Sequence, residues 1–232
     1  MASLDAAAAA PRRSAQVSGD GQTPVVGSEL YCEKSYWDAR FETEDVKEWL
    51  CAFDDVRPLL ESLVPAGARV LLVGCGNSEL GADLVRHMGL TDVVASDFSA
   101  TCVARMTAKH ADLFPKVRYV EADMLDLGAC FEDSSFDVVI DKAGFDAVVA
   151  DGGGDRWTPT EAALERASEL SASVGRVLRD GGRFLQITFS QAHFRRPLLL
   201  RDGAPWTGCD AHKVDVGFGY VLLSLARARR GG

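Results

Sequence analysis

The sequence lacks several patterns that would assign it directly to a class of protein. None of its apolar runs approaches the roughly 18–20 residues that a membrane-spanning helix needs, so we expect no membrane association. Its six cysteines lie far apart, without a Cys-x-x-Cys pair, and its four histidines are scattered. We therefore expect no metal site and no disulfide framework, but free thiols in a reducing cytoplasm.

Positive charge is also in short supply. The chain of 232 residues has 25 Lys and Arg against 34 Asp and Glu, a formal net charge of −9. Such a surface repels nucleic-acid phosphate, which argues against a nucleic-acid partner, and it suits a basic protein partner. Hydrophobic residues make up 47% and charged residues 25% of the chain, values that are ordinary for a globular protein with a sizeable core.

The first part of the chain shows no hydrophobic periodicity. Residues 1–27 contain an alanine run followed by Pro, Gly, Ser and Gln, and they lack the apolar core of a secretory signal. We therefore predict a disordered tail over residues 1–27 and one domain over residues 28–232.

Strand and helix patterns alternate through the domain. A long segment with apolar residues at helical spacing, 45–63, precedes them and is predicted to be a helix. Later in the chain, a capping box at Thr158-Pro159-Thr160-Glu161 is predicted to place Pro159 at the first position of another helix. The predicted strands are 69–73, 92–96, 117–122, 136–140, 183–189 and 220–226, with a further partner near 211–216; the other predicted helices are 78–88, 99–110 and 158–179. This alternation predicts a three-layer α/β fold with a mostly parallel sheet.

Four residues with chemical potential follow directly after predicted strands. They are Gly74, Asp97, Asp123 and Asp141. Ligands of such sheets bind outside the carboxyl ends of the strands, so these residues are expected to share one cleft.

The glycine turn Gly74-Cys75-Gly76 lacks the third glycine of the dinucleotide fingerprint Gly-x-Gly-x-x-Gly. Glu79 stands at that position, where a carboxylate would repel a pyrophosphate. S-adenosylmethionine is a nucleoside cofactor without phosphate whose amino group and sulfonium are positive. The turn therefore favours S-adenosylmethionine over NAD, although a glycine turn alone can be purely structural.

The acids after the second and third strands suit an adenosine. Asp97 can accept hydrogen bonds from both ribose hydroxyls, and Phe98 can pack on adenine. Asp123 can accept from the adenine amine, while Met124 offers a soft apolar contact. The alternatives are a solvated or helix-capping Asp97, and a turn aspartate followed by a core methionine.

Two further groups complete the predicted site. Asp141 and Lys142 follow the fourth strand, where a buried acid–base pair would lie near the reaction centre; the alternative is a surface ion pair. Trp37, Arg40 and Phe41 can cover a small zwitterion, with aromatic faces toward the sulfonium and the arginine toward the carboxylate. The alternative is a segment anchored by burial of Trp37.

Six segments together give the chain a specific resemblance over about residues 29–190. They are Tyr36-Trp37-Asp38-Ala39-Arg40, 72–78, 96–99, 121–124, 135–144 and 181–184. On these the chain resembles the class I, seven-stranded, Rossmann-like S-adenosylmethionine-dependent methyltransferases. It resembles more closely the group that methylates lysines of translation elongation factor 1 alpha.

The resemblance implies a seven-stranded, mostly parallel sheet with an antiparallel C-terminal strand. It also implies S-adenosyl-L-methionine as cofactor and a cytoplasmic protein-lysine methyltransferase that acts by in-line methyl transfer. The implied cofactor-binding residues are Trp37, Arg40, Phe41, Gly74, Gly76, Asp97, Phe98, Asp123, Met124 and Lys142, and the candidate catalytic residue is Asp141. Phe41 stands where the group usually has Tyr, and Asp141 where it usually has Glu.

Two other functions remain open on the sequence. The same cofactor site serves methyl transfer to small molecules, and a methyltransferase fold can be kept as a non-catalytic binding module. The region after Ser190, which is expected to shape the acceptor site, matches the group only in Ala192-His193-Phe194-Arg195, and residues 197–219 are unlike it.

Overall fold

The computed structural model describes residues 28–44, 47–150, 157–217 and 219–229. The predicted tail over residues 1–27 lies outside the described residues. Within the described part, the α-helices are α1 Lys34–Thr43, α2 Phe53–Leu63, α3 Leu80–Met88, α4 Ala100–Lys109, α5 Gly144–Val148, α6 Glu161–Val177 and α7 Ala192–Leu199. The strands are β1 Val70–Val73, β2 Val93–Asp97, β3 Val117–Glu121, β4 Phe136–Lys142, β5 Leu178–Thr188, β6 Trp206–Val214 and β7 Tyr220–Arg227.

The strands form one sheet in the order β3-β2-β1-β4-β5-β7-β6. The pairs from β3 through β5 are parallel, whereas β7 runs antiparallel to both β5 and β6. The predicted α/β fold with a mostly parallel sheet and an antiparallel final strand is therefore confirmed. The order reverses direction at β1 and β4, so a cleft opens where their carboxyl ends diverge.

Alternation along the central strands builds two apolar layers. Val70 and Leu72 of β1 face one core, which includes side chains of α2 and α3. Leu71 and Val73 face the other core, which includes side chains of α6 and α7. Because both faces are covered, β1 reads as a continuous apolar run. Among the described residues, no helix is both long enough and apolar enough to span a membrane.

The long helix predicted over residues 45–63 is wrong in its first half. Helix α2 begins only at Phe53, and Leu50 has a left-handed backbone with φ 66°. The backbone amide of Ala52 donates to Asp55 Oδ2 at 2.8 Å, which closes the start of the helix. Residues 45 and 46 lie outside the described residues. Trp49, Leu50 and Cys51 belong to a loop, and Trp49 of this loop lines the cleft.

Two other boundaries differ from prediction. Thr160, not Thr158, caps α6, and its Oγ1 accepts from the amide of Ala163 at 3.1 Å, so Pro159 precedes the helix. Residues 181 and 182, predicted to separate a helix from a strand, lie within β5, whose register shifts between the pairs made by Phe136 and Val138. Helices α1, α5 and α7 were not predicted from the sequence.

Candidate cofactor and active site

A cavity of about 260 Å³ opens at the carboxyl ends of the central strands. Nine of the predicted site residues line it: Trp37, Phe41, Gly74, Gly76, Asp97, Phe98, Asp123, Met124 and Lys142. Arg40 and Asp141 are not among its lining residues. The fold thus brings these nine residues from five separate segments to one cleft, and of the four strand-end residues expected there only Asp141 is missing.

The glycine turn forms the floor of this cavity. Gly74 and Gly76 have φ of 56° and 52°, a left-handed conformation that glycine adopts without strain. A Cβ on Gly74 would lie 2.4 Å from Met124 Cε. The amide of Cys75 donates to the carbonyl of Ser96 at 2.9 Å, which fixes the turn against β2. Backbone therefore approaches the cleft more closely than any side chain would allow.

Asp97 ties the turn to the start of α4. Its Oδ2 accepts from the amide of Gly76 at 2.9 Å, and its Oδ1 accepts from the amide of Ser99 at 3.0 Å. Burial raises the pKa of this carboxyl to about 6, although both amide hydrogen bonds lower it. Each carboxylate oxygen has a second lone pair, so Asp97 can still accept from a ligand's hydroxyl groups.

The end of β3 provides a softer wall. Asp123 is exposed, and its Oδ1 accepts from the amide of Leu125 at 2.9 Å, which makes a compact turn. Met124 lies across the turn near Gly74 and Gly144. Phe98 lies half-buried at the end of β2. These side chains form an apolar surface edged by a carboxylate, which suits a heteroaromatic ring that carries an amino group.

Three aromatic rings close the cavity from the side of α1. Trp37 and Phe41, one helical turn apart, stack with ring centroids 5.6 Å apart, and Trp49 meets Trp37 edge-on at 5.9 Å. Trp37 Nε1 donates to the carbonyl of Tyr31 at 2.8 Å, so its ring has a fixed orientation. Such electron-rich faces attract a cation.

Arg40 does not reach the cavity as predicted. Its guanidinium makes two hydrogen bonds to the Glu44 carboxylate, at 2.5 and 2.6 Å, and one to the Tyr36 hydroxyl at 2.9 Å. It also lies 5.0 Å from the ring centroid of Trp49. Because Glu44 occupies the guanidinium, Arg40 supports the aromatic wall from behind and is not placed to bind a ligand's carboxylate.

Glu79 does not lie beside the cleft, contrary to the prediction from the glycine turn. The Glu79 carboxylate pairs with His110, at 3.0 Å, and with Lys109, and it is not among the cavity-lining residues. Glu48 instead occupies the N-terminus of α3: its Oε1 accepts from the amide of Glu79 at 2.6 Å, and its Oε2 accepts from Ser78 Oγ at 2.8 Å. This is the place where a phosphate binds in nucleotide folds, so Glu48 supplies the exclusion that was assigned to Glu79.

Lys142 holds the loop that carries Glu48. Its ammonium contacts the Glu48 carboxylate and donates to the carbonyls of Trp49, at 3.1 Å, and Cys51, at 3.3 Å. An ammonium has three donors, and these three acceptors account for them. The Lys142 side chain is only 6% exposed. It therefore anchors residues 48–51 over the cavity, and it would have to release one of them to bind a cofactor carboxylate.

Asp141 is fully buried behind the cavity and does not pair with Lys142. Its Oδ1 accepts from the amide of Phe145 at 3.0 Å, and its Oδ2 lies 3.4 Å from Gln186 Nε2. Burial, followed by the charge of Asp146, raises the pKa of Asp141 to about 7. The side chain fixes the start of α5 and does not face the cavity, which is a positioning role.

A second buried acid, which sequence reasoning did not select, faces the cavity. Asp146 accepts from Thr188 Oγ1 at 2.7 Å and pairs with the buried Arg195. The Arg195 guanidinium in turn lies 4.6 Å from the ring centroid of Phe145. The one signal for this pair was the short match over residues 192–195, which lies in α7.

Comparisons with known proteins agree with this geometry. The family described as "Methyltransferase domain" matches residues 70–182. The "EEF1A lysine methyltransferase 4" of Mus musculus is 34% identical over 183 residues, which cover 75% of this chain and 70% of that protein. The "eEF1A lysine and N-terminal methyltransferase" of Bos taurus is 35% identical over 160 residues, 68% of this chain. The chain spans only 22% of the length of that bovine protein.

Solved structures show the same fold. A Burkholderia thailandensis 1,6-didemethyltoxoflavin-N1-methyltransferase with bound S-adenosylhomocysteine has a TM-score of 0.57 and 17% identity, and the alignment covers 91% of this chain and 94% of that one. The chain has the α/β fold of the S-adenosylmethionine-dependent methyltransferases and matches their methyltransferase domain over residues 70–182. Within that class it belongs to the family that includes EEF1A lysine methyltransferase 4.

The cavity fits this cofactor by its own chemistry. The buried carboxylate of Asp97 offers acceptors for a ribose, aromatic faces are available for a sulfonium, and Glu48 at the α3 N-terminus disfavours phosphate.

Proposed function

We propose that this chain is a cytoplasmic protein-lysine N-methyltransferase whose substrate is a translation elongation factor 1A. Two relatives that carry this activity in their names are 35% and 34% identical to it over 160 and 183 residues. That likeness is the observation on which the proposal rests. The formal net charge of −9 adds to it, because an acidic enzyme attracts a basic, lysine-bearing protein surface.

The cofactor would lie along the strand ends. Asp97 would accept from the ribose hydroxyls, Asp123 and Met124 with Phe98 would hold adenine, and the glycine turn of Gly74 and Gly76 would contact the methionine part. When bound, S-adenosylmethionine supplies a methyl group already activated on a sulfonium. Trp37 and Phe41 would cover that end of the cleft and exclude water, which favours an oriented nucleophile over hydrolysis.

A lysine acceptor must lose its proton before it attacks. Against an ordinary pKa of about 10.4, this deprotonation near pH 7.4 costs on the order of 4 kcal/mol. The aromatic wall and the cofactor's positive charge both lower the pKa of an amine that enters the cleft. We assign Asp141 to positioning, because it holds the amide of Phe145 at the start of α5 and leaves Asp146 of the same helix at the cavity wall.

The proposal is tested with the purified chain, labelled S-adenosylmethionine and purified elongation factor 1A, followed by mass spectrometry of the labelled residue. We expect label on lysine and none with Asp97→Ala, which removes the carboxylate that accepts from the amides of Gly76 and Ser99. Asp202→Ala, an exposed residue away from the cleft, serves as the matched control and should label normally.

Two outcomes would overturn the proposal in different ways. Label found only in a protein-free metabolite extract would assign the chain to small-molecule methyl transfer. Tight binding of S-adenosylhomocysteine without any labelled product from a cell lysate would assign it to the non-catalytic binding modules.

A further inference from the structure

Two thiols and a carboxylate from three different segments meet at the floor of the cavity. Cys75 lies in the glycine turn, Asp97 at the end of β2, and Cys102 in the first turn of α4. Their ligand atoms all lie within 4.8 Å of one another. Cys75 and Asp97 line the cavity, whereas Cys102 is 1% exposed and lies behind them.

The backbone holds this group in place before any ion arrives. The Asp97 carboxylate accepts from the amides of Gly76 and Ser99, and Ser99 Oγ accepts from the amide of Cys102 at 3.2 Å. The amide of Cys75 is bound to the Ser96 carbonyl. Each of the three ligating residues is thus tied to its neighbour, so a cation would meet an ordered set of ligands and not three independent loops.

We propose that Cys75, Cys102 and Asp97 form a binding site for a soft divalent cation of the Zn²⁺ type. Two sulfur ligands and one oxygen ligand select such an ion over Mg²⁺ or Ca²⁺, which require oxygen. With Zn–S distances near 2.3 Å, tetrahedral sulfur ligands lie about 3.8 Å apart, so the group needs to contract by about 1 Å at most. A fourth ligand would reach the ion from the cavity, which Cys75 and Asp97 line.

Charge and proton balance support binding of one ion. Each thiol releases its proton to solvent as its sulfur bonds to the metal, so two protons leave for each Zn²⁺ bound. Two thiolates and the Asp97 carboxylate carry three negative charges against two positive charges. The second lone pairs of the Asp97 oxygens are available to the metal, since the first are taken by backbone amides.

Occupation of this site would compete with the cofactor. The ion would use the lone pairs of Asp97 that are proposed to accept from the ribose, and it would place charge beside the glycine turn. This competition rests on the proposed role of Asp97, whereas the metal site itself does not depend on that role. The expected effect is inhibition of methyl transfer by Zn²⁺ that chelators reverse.

Isothermal titration calorimetry of the full chain with Zn²⁺ tests the site. We expect one ion per chain, at least tenfold weaker binding in Cys102→Ser, and unchanged binding in Cys130→Ser, whose cysteine is exposed. Equal affinity in Cys102→Ser and the wild type, or no stoichiometric binding, would overturn the proposal. Circular dichroism checks that Cys102→Ser is folded.

A second measurement needs no variant. Co²⁺ in place of Zn²⁺ should give a thiolate-to-cobalt charge-transfer band in the wild type, and its absence would also overturn the site.

Competition is measured as the apparent Kd of S-adenosylhomocysteine. Saturating Zn²⁺ should raise it at least tenfold in the wild type and less than twofold in Cys102→Ser; an unchanged Kd in the wild type would overturn the inhibitory role. Absence of S-adenosylhomocysteine binding in EDTA, or of lysine labelling there, would count against the proposed function and leave the metal site standing.

Discussion

A lysine ammonium has three hydrogen-bond donors, and the Lys142 ammonium donates all three to the loop of residues 48–51. It binds the Glu48 carboxylate and the carbonyls of Trp49 and Cys51. This loop carries both the residue at the α3 N-terminus and the aromatic ring that abuts Trp37. One side chain at the end of β4 therefore fixes two walls of the cavity.

The change Lys142→Met tests this anchoring role. It leaves Glu48 partly buried without its cation, so we expect a loss of about 2–3 kcal/mol in the free energy of unfolding, measured by urea denaturation. The Kd of S-adenosylhomocysteine should rise at least tenfold. Lys213→Met, at a lysine that is 75% exposed, is the control and should change neither quantity.

The double variant Lys142→Met with Glu48→Gln separates a lost ion pair from a lost packing contact. If the pair is the cause, the double variant recovers part of the stability that the single variant lost. Losses that simply add would contradict the ion-pair explanation.

Asp141 is the residue whose titration should be visible in stability. Its folded pKa of about 7 lies above the ordinary value of 3.8. The folded protein therefore holds a proton that the unfolded chain has lost, and this group's contribution to stability falls as the pH rises from about 4 to about 7. Between pH 5 and pH 8 that fall amounts to roughly 3 kcal/mol, from 1.36 kcal/mol per pKa unit.

The change Asp141→Asn removes this titration. The side-chain carbonyl of the asparagine can still accept the hydrogen bond from the backbone N–H of Phe145. We expect the variant to gain stability relative to the wild type as the pH rises from 5 to 8, measured by denaturant unfolding at each pH. Asp202→Asn should leave the profile unchanged. Parallel pH profiles for Asp141→Asn and the wild type would show that Asp141 ionises normally.

Among the elements, α5 begins in an unusual way. Ala143, just before it, has φ 71°, a left-handed conformation that disfavours a residue with a Cβ. The amide of Ala143 donates to the carbonyl of Ile187 at 3.1 Å, which ties this turn to β5. The strain is therefore held by the sheet next to the cavity.

Ala143→Gly should relieve that strain. We expect the free energy of unfolding to rise by about 0.5 kcal/mol, because relief of about 1–2 kcal/mol exceeds the extra entropy that glycine loses on folding. Ala147→Gly, inside the same helix, is the matched control and should lower it by about 1 kcal/mol. Equal losses in both variants would contradict the strain argument.

Among the helices and strands, those that depend on local pattern could be predicted, and those that depend on distant contacts could not. Strand β1 and helix α3 with its C-cap Gly89 depend on local pattern, and both were predicted close to their observed bounds. The segment 47–52 has the apolar spacing of a helix, yet it forms a loop. Two of its backbone carbonyls accept hydrogen bonds from Lys142, which lies more than 90 residues away in the sequence. A contact at that separation leaves no periodic signal.

The site residues, too, were predicted correctly where local pattern places them and wrongly where a partner side chain does. Residues tied to strand ends, such as Gly74, Asp97 and Asp123, were placed at the cavity because strand ends meet at one edge of the sheet. Arg40 was misassigned because helix α1 was not predicted, and that helix brings Arg40 to Glu44 four residues later. Glu79 was misassigned because its partner Lys109 lies 30 residues away in the sequence.

The net negative charge of the whole molecule should affect how fast it encounters its substrate. If the proposed basic protein substrate is correct, kcat/KM should fall severalfold as salt rises from about 50 to 300 mM, since screening weakens long-range attraction. The Kd of S-adenosylhomocysteine, measured in parallel, should change far less. A kcat/KM that does not respond to salt would argue against a basic substrate.

The carboxylate of Glu48 at the start of α3 has a consequence for which molecules the cell can present to this cleft. ATP shares its adenosine half with S-adenosylmethionine. Its triphosphate would have to extend toward the glycine turn, where the Glu48 carboxylate already accepts from the amide of Glu79 at the helix N-terminus. On the proposed cofactor site, the cleft would recognise the adenosine that both metabolites share and still select the one that carries a positive charge.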